Sequence, residues 1–496
     1  MSLSKKIRVP IASLAVITAV LAIVFKAPSS LSEAALSLAN PRSLTRSNGQ
    51  QAPATTSAAR NAALVSATDE VLKETSELRQ LSILQPVQSS TQSRADIERM
   101  VVKNLDTEMT SDEIHAAEVG LKQLGLASAD FQYRLFMIRL LREQVAGYYD
   151  PKVKQFHLAD WIDVDGQRPV MAHELTHALQ DQHFNLRRFE HWPKGDSDAQ
   201  LATHALVEGD ATLVMALYIA SNPMRALAFL KSLSATGMSS EELAKAPRAL
   251  RETLLFPYQE GAAWTRALYK QGGWQQVSRA FNELPQSTEQ ILHPEKYFAH
   301  EAPVKVSLRD IAPILNASAS KAVKDERSAK SALFSSFIPH PSSFPAVWRR
   351  IDYDVEGEWG FYLILDQFLQ SQSESQRAAA GWGGDRYEIY EGPNGEMLFI
   401  SMSIWDTEND AHEFFDAYVK RTELRYPDTE VADTKTPSLP KSQQLRTWRA
   451  ADGVVSVKLD GPRVLILDTS IPSMNIKTLL NALGHGLKIG GMATRR

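Results

Sequence analysis

Two histidines and a glutamate within residues 170–180 have a spacing that suits metal-assisted hydrolysis. His173 and His177 are four residues apart, so on a helix both imidazoles lie on one face and can bind one ion. Glu174 borders the same face and can act as a general base without binding the metal. This HExxH pattern supplies two zinc ligands and a base from one rigid helical turn. It predicts a zinc site, with two ordinary helical histidines as the alternative.

A catalytic zinc ion takes three protein ligands and keeps one position for water, so a third ligand is expected. Glu208 lies on the next predicted helix, from which a carboxylate can reach the two imidazoles. His183 has the spacing of the metzincin pattern, but Gln180 stands where that pattern has a helix-breaking glycine. A helix that continues through Gln180 carries His183 to a different face. We therefore expect Glu208 to be the third ligand and His183 to be a cap or a supporting residue.

Three neighbours of Glu208 carry further expectations. Gly209 costs a helix ~1 kcal/mol relative to Ala, which would be explained if this helix approaches the HExxH helix closely. Asp210 could accept a hydrogen bond from a ligand imidazole, or could equally be a solvated helix residue. His204 lies one turn before Glu208 and could replace it as a ligand, although an ordinary helical histidine explains it better.

The segment HELTHALQDQHF, followed by ALVEGDAT, resembles the gluzincin class of zinc metallopeptidases, and more narrowly a set of poorly characterised bacterial exported members. The resemblance covers about residues 144–297. It implies a mostly helical, zincin-like domain with a small β-hairpin or sheet. It also implies that zinc is bound by His173, His177 and Glu208, with Glu174 as the base. Gluzincins commonly use a Tyr or His to stabilise the oxyanion, and the candidates here are Tyr258, His293 and Tyr297.

The function expected from these residues is hydrolysis of peptide bonds in a protein or peptide substrate. Zinc lowers the pKa of bound water to around 7, and Glu174 would take the proton during attack on the scissile carbonyl. A hairpin predicted at 148–158 could offer an edge strand to an extended peptide. Two alternatives stay open, namely a non-proteolytic zinc-binding envelope interaction protein and a zinc hydrolase of a non-peptide bond.

The N-terminal residues predict a membrane location. Lys5, Lys6 and Arg8 precede an uncharged apolar run over 9–25, whose length lies between a signal-peptide core of ~7–15 residues and a spanning helix of ~17–25. We expect residues 1–28 to be an uncleaved single-pass anchor in a bacterial cell membrane, with the catalytic part extracytoplasmic (periplasmic). Secretion after signal cleavage is the alternative.

Composition and the spacing of apolar residues divide the remaining chain into three segments. The segment 29–94 is rich in Ser, Ala, Thr and Gln and predicts a linker or pro-region. The zinc metallopeptidase-like domain is expected over 95–338 and a smaller α+β domain over 339–496, with a proline-rich loop between them. In the second domain, two strands flank a turn at 393–395, and 445–470 predicts a three-stranded meander. The expected fold class is therefore α+β.

Charge and cysteine content exclude several classes of protein. The 496 residues include 54 Lys and Arg against 58 Asp and Glu, so the chain offers no strongly basic surface for nucleic acid. The absence of Cys excludes disulfide scaffolds, thiolate zinc sites and cysteine nucleophiles. The sequence leaves the oligomeric state open.

Overall fold

The computed structural model describes residues 57–144, 147–161, 164, 166–189, 192–235, 241–317, 347–427, 429–431, 442–450, 453–484 and 488–489. The predicted anchor over 1–28 and the proline-rich loop near 340 lie outside these residues. Among the helices of the described part, none combines the length and the hydropathy that are needed to cross a bilayer.

The chain forms a mixed α+β fold, as the sequence predicts, and its first part is mainly helical. Proline starts several helices and Ser or Thr caps others, as at Ser93 and Thr110, which each complete a capping box with the third helical residue. The elements of this part are α1 (Ser57–Arg79), β1 (Gln88–Gln92), α2 (Arg94–Glu108), α3 (Ser111–Gln123), α4 (Tyr133–Gln144), β2 (Gly147–Asp150), β3 (Gln155–Ala159), α5 (Arg168–Phe184), α6 (Ser197–Ala220), α7 (Pro223–Ala235), α8 (Glu241–Lys245), α9 (Arg248–Ala280), α10 (Thr288–Leu292), α11 (Pro294–Phe298) and β4 (Val306–Ser307).

A small three-stranded sheet lies beside the helix that carries the HExxH motif. Its strand order is β1-β3-β2. Strands β2 and β3 form the predicted hairpin, with Tyr148 opposite His157. Strand β1 pairs in parallel with β3, with Ser90 opposite His157. The sheet therefore includes a strand from the segment 29–94, which was expected to be a linker or pro-region.

Helix α1 also belongs to that segment, and it is part of the hydrophobic core. Its buried residues Leu64, Val71 and Leu72 cluster with Met171 and Leu175 of α5. The apolar positions are widely spaced among Ser, Ala, Thr and Glu, which is why the composition alone indicates a linker. The described residues 57–92 are thus folded against the motif helix. The linker or pro-region expected over 29–94 stays a prediction.

The second part of the chain is a unit built on one seven-stranded sheet. The strand order is β5-β6-β7-β11-β10-β9-β8, and every neighbouring pair is antiparallel. The predicted hairpin and meander are both present in it. We call residues 347–489 the sheet unit. Its elements are β5 (Arg349–Asp354), α12 (Gly357–Leu369), α13 (Gln372–Ala379), β6 (Trp382–Glu391), β7 (Met397–Trp405), α14 (Glu408–Arg425), β8 (Glu430–Val431), β9 (Gln443–Ala450), β10 (Gly453–Asp460), β11 (Arg463–Thr469), α15 (Ile476–Gly484) and β12 (Lys488–Ile489).

The sheet unit shares its core with the helical part. One hydrophobic cluster includes Leu121 of α3 and Tyr133 of α4 together with Ile364 of α12 and Phe414 of α14. Packing of this kind is that of one continuous interior rather than of two domains joined by a linker. The domain limits predicted at 338 and 339 stay a prediction.

The sheet unit also fixes the first turn of α6. The backbone N–H of Ser197 donates to the carboxylate of Asp354 over 2.9 Å. Arg386 donates to the carbonyl of Gly195 over 2.6 Å. The first four N–H groups of a helix have no partner within the helix, so a carboxylate there satisfies one of them. The helix that carries Glu208 is therefore held at its start by residues of the second unit.

Candidate metal centre

The motif helix α5 is buried on all sides. Pro169 lies in its first turn, where the missing N–H costs nothing, and Asn185 ends it in the left-handed conformation. Helices α1 and α6 pack along it, and every residue from Pro169 to Asp181 is buried. The side chain of His173 has no exposed surface, and that of His177 is 1% exposed. The two imidazoles thus face an interior that water reaches poorly.

Three donor atoms from two helices converge at one point. The Nε2 atoms of His173 and His177 are 3.1 Å apart. Glu208 Oε2 lies 3.1 Å from the first and 3.4 Å from the second. Ligands that are ~2.0–2.1 Å from a tetrahedral zinc ion are about 3.4 Å from one another. The spacing of the three donors therefore fits a zinc ion bound by all of them, and two imidazoles with one carboxylate are a donor set that zinc uses in catalytic sites.

The charges of this group are strongly coupled. Burial favours the neutral form of Glu208, but the neighbouring imidazoles outweigh it and lower its pKa. Burial likewise opposes the charge of His177, but the Glu208 carboxylate raises the His177 pKa to about 9. Burial lowers the pKa of His173. Without a metal, one proton on the imidazole pair is stabilised by the carboxylate, and a divalent cation would take its place.

Gln180 determines which nitrogen of His177 carries a proton. Its amide nitrogen donates to the carbonyl of Val207 over 3.0 Å and to Asp210 Oδ2 over 2.9 Å. The amide oxygen must then be the atom that lies 2.8 Å from His177 Nδ1. This oxygen can only accept, so Nδ1 carries a proton, and Nε2, which faces Glu208, is the nitrogen left for a metal. The imidazole is fixed in the tautomer that can bind a metal.

Asp210 is bonded to Arg79 and Gln180 and not directly to a ligand imidazole, and it is not solvated, so neither of its expected roles is what the structure shows. It is completely buried and accepts from Gln180 and from Arg79 Nε, which is 2.6 Å away. It acts on His177 through the amide of Gln180. The direct contact fails because Asp210 lies two residues beyond Glu208, about 200° further round the helix, and so faces α1.

Glu174 is completely buried and points towards strand β2. Its Oε2 accepts the backbone N–H of Tyr149 over 2.9 Å, and its Oε1 has no hydrogen-bond partner. Burial raises the pKa of Glu174 to about 8, against the attraction of His177. The phenol of Tyr149 donates over 3.0 Å to Asp181, which lies about two turns further along the same face of α5. Strand β2 is therefore attached to α5 within the motif and again beyond it.

Gly209 permits a close helix crossing, but with α9 and not with α5. A Cβ atom at Gly209 would lie 2.2 Å from the carbonyl carbon and oxygen of Gly261. A Cβ atom at Gly261 would lie 2.2 Å from the carbonyl oxygen of Ala205. Helix α6 packs along the HExxH helix, but Gly209 is not the point of contact as expected, because Glu208 occupies that face and the next residue is turned about 100° away from it.

The other residues singled out from the sequence fall in different places. His183 Nε2 lies 2.8 Å from the carbonyl of Ser82, at the end of α5, which agrees with a supporting role. His204 is not part of the group of three donors. Among the expected oxyanion donors, Tyr258 is 5% exposed and its ring centroid is 6.1 Å from that of His173. His293 pairs instead with Glu358, and Tyr297 donates to the carbonyl of Glu283.

Arg79, Gln180 and Tyr149 were not identified as site residues from the sequence. Gln180 could have been, because a residue three positions after His177 lies on the same helical face. Arg79 is 131 positions from Asp210, and Tyr149 is 25 positions from Glu174, so no local pattern marks them.

A second group of acidic side chains surrounds the side-chain ammonium group of Lys296. Glu289, Glu301 and Asp406 could together hold a cation by their spacing. Lys296 Nζ already lies 3.2 Å from Glu301 and 2.6 Å from Asp406, and it also contacts Glu289. Its charge and three donors satisfy these carboxylates, so the group is an ion-pair network that joins α10 and α11 to the sheet unit.

Comparison with known proteins bears on the sheet unit alone. The model of a family described as a domain of unknown function (DUF8575) matches residues 345–475. No curated protein and no solved structure matches the chain. The matched residues begin well after α5 and α6, and they include Asp354 and Arg386, which hold the start of the helix that carries Glu208.

Proposed function

We propose that this protein is a zinc-dependent metallopeptidase of gluzincin type, with a zincin-like helical part. The observation that carries the proposal is the convergence of His173 Nε2, His177 Nε2 and Glu208 Oε2 within 3.1–3.4 Å of one another. Three neutral or anionic donors at this spacing, in an interior that excludes water, are expensive to maintain without a cation. The nitrogen and oxygen donors favour zinc over magnesium or calcium.

Glu174 is the base in this proposal. A bound zinc ion would activate water near neutral pH and polarise the scissile carbonyl. Glu174 would take the proton of the attacking water and deliver it to the leaving amine. Its Oε1 has no hydrogen-bond partner, while its Oε2 is held by Tyr149, so the carboxylate is oriented with one oxygen available. Its position next to His173 in the helix keeps it beside the ligands without making it one.

Tyr258 is the best supported of the three candidates for stabilising the oxyanion. Its ring centroid lies 6.1 Å from that of His173, a ligand of the proposed centre. A phenol next to the zinc site could donate a hydrogen bond to developing negative charge. On this basis Tyr258→Phe should lower kcat by about a hundredfold to a thousandfold and leave zinc affinity unchanged.

The substrate and the location belong to the proposal as well. We propose a protein or peptide substrate and a single-pass anchor over 1–28 that keeps the enzyme at the outer face of a bacterial cell membrane. The basic residues before the apolar run support this orientation. The alternative location is release after signal cleavage. The alternative functions are a non-proteolytic zinc-binding envelope interaction protein and a zinc hydrolase of a non-peptide bond.

The test compares the wild type with Glu174→Gln. Metal analysis of both purified proteins should give one zinc per chain, because Glu174 is not a ligand. Digestion of a mixed peptide library, followed by mass spectrometry, should show cleavage by the wild type and none by the variant. Equal cleavage by both proteins would refute the mechanism. Zinc binding without cleavage of any peptide would favour the interaction protein, and cleavage of small esters or amides alone would favour a different hydrolase.

A further inference from the structure

Four buried side chains form a continuous chain of hydrogen bonds from the N-terminal helix to the donor group. Arg79 Nε donates to Asp210 Oδ1 over 2.6 Å, and Asp210 Oδ2 accepts from Gln180 Nε2 over 2.9 Å. Gln180 Oε1 lies 2.8 Å from His177 Nδ1. Arg79, Asp210 and Gln180 have no exposed surface. The chain connects helices α1, α6 and α5 in that order.

We propose that Arg79 is a positioning residue of the metal centre, and that helix α1 is therefore a permanent part of this centre and not a removable pro-region. The inference rests on the metal site of the proposed function. It goes beyond that function because it assigns a role to a residue that lies 94 positions before His173, in a segment whose composition predicts a linker or pro-region.

The role of Arg79 follows from the orientation of the Asp210 carboxylate. Arg79 Nε holds Asp210 Oδ1, so Oδ2 faces Gln180 and accepts from its amide nitrogen. The carbonyl of Val207 accepts from the same nitrogen. With the amide nitrogen bound on that side, the amide oxygen of Gln180 faces His177.

Loss of Arg79 would release this arrangement. Without the bond to Oδ1, the Asp210 carboxylate can turn and no longer fixes the amide of Gln180. The amide could then turn over and present its nitrogen to His177 Nδ1, which makes Nδ1 the acceptor. A neutral imidazole that accepts at Nδ1 carries its proton on Nε2, the atom that faces Glu208, and cannot bind a metal through that atom. The ion pair on α1 thus orients a ligand that it does not touch.

The surroundings hold Arg79 in this position. Its guanidinium stacks over Trp274 at 4.6 Å, and its Nη1 donates to Ser278 Oγ over 3.2 Å. Both partners lie on α9. The remainder of α1 is fixed by its apolar contacts with α5. Arg79 is also the last residue of α1, where a positive charge is favoured by the helix dipole.

The experiment measures zinc affinity of the full-length protein by competition with a chromophoric chelator. Arg79→Met should weaken zinc binding about tenfold, which is at the low end for residues that support a metal ligand. The control is Glu74→Gln, which removes another ion pair of α1, with Arg225 at 2.6 Å, but leaves the chain to His177 intact. The control should bind zinc within twofold of the wild type. Equal affinities of both variants would overturn the inference.

A spectroscopic measurement separates positioning from general loosening of the fold. Cobalt(II) in place of zinc gives a visible spectrum that reports the ligand geometry. The spectrum should change in Arg79→Met and superimpose on that of the wild type in Glu74→Gln. An unchanged spectrum in Arg79→Met at full cobalt occupancy would overturn the inference, even if that variant were less stable to urea.

A paired variant covers the case in which Arg79→Met does not fold. Arg79→Met with Asp210→Asn removes both charges together, so no lone charge stays buried. We expect this protein to fold and to bind zinc about tenfold more weakly than the wild type. Affinity equal to that of the wild type would overturn the inference. A wild type that binds zinc but cleaves no peptide would refute the peptidase and leave this comparison intact, whereas a wild type that binds no zinc would refute both.

Discussion

Replacing Gly209 by alanine tests whether the crossing of α6 and α9 positions Glu208. The new Cβ would lie 2.2 Å from backbone atoms of Gly261, where carbon atoms normally approach to ~3.5–4.0 Å. Backbone cannot rotate away as a flexible side chain can, so the two helices must separate by about 1 Å. Overpacking of this kind costs ~1–3 kcal/mol. Helix propensity alone would favour alanine by ~1 kcal/mol, so the two effects have opposite signs.

We expect the clash to outweigh the gain in helix propensity, because the new Cβ is fixed to the backbone of α6 and meets backbone atoms of α9. Gly209→Ala should lower the free energy of unfolding in urea by about 2 kcal/mol. It should also weaken zinc binding about tenfold, or ~1.4 kcal/mol, because Glu208 is the adjacent residue and moves with the helix. The matched control is Ala216→Gly on the partly exposed face of α6, which measures the propensity effect alone and should cost ~1 kcal/mol without changing zinc affinity. A Gly209→Ala protein as stable as the wild type would refute the argument.

Three further substitutions test individual contacts of the fold by urea unfolding. Tyr149→Phe should cost ~1–3 kcal/mol, because Asp181 loses a buried hydrogen bond of 3.0 Å. Lys296→Met should cost ~3–5 kcal/mol, because it leaves Glu289, which is 1% exposed, without its cation, whereas the exposed Lys245→Met should change stability little. Glu113→Gln probes pH dependence: burial opposes the charge of Glu113, but bonds from the Thr110 cap and from Lys194 lower its pKa to about 2. A carboxylate whose pKa is lowered by folding stabilises the protein above its unfolded pKa of about 4.5 and loses that contribution as the pH falls towards 2, so the difference from the wild type should be about 1 kcal/mol at pH 7 and smaller at pH 3. A difference that is the same at both pH values would contradict the assignment.

The part of the centre that could be predicted from the sequence is the part with local spacing. A separation of four residues in a helix brings His173 and His177 together whatever surrounds them. Glu208 was expected from the shared EGDA signature and from the reach of a carboxylate on the next helix. In the structure its carboxylate lies within 3.4 Å of both imidazoles, which is the arrangement on which the prediction depended.

The part that could not be predicted depends on tertiary contacts. Strand β1 has the sequence QSSTQ, whose five polar residues carry no strand pattern, and it is a strand because β3 offers a parallel partner. Helix α1 buries small and aliphatic residues among polar ones and has almost no amphipathic pattern of its own. The partner of Gly209 likewise depends on which face of α6 meets α9. In each case the determining contact is remote in sequence.

The hydrogen bonds from the sheet unit to the start of α6 have a consequence for proteins that carry only the region matching DUF8575. In this chain Asp354 and Arg386 are satisfied by backbone groups of the helical part, and α12 packs against α9 and α10. A chain that contained this module without the preceding helices would display an acidic residue, a cation and a bare apolar surface at one edge. Such a module is expected to be found fused to, or assembled in trans with, a helical partner of comparable shape.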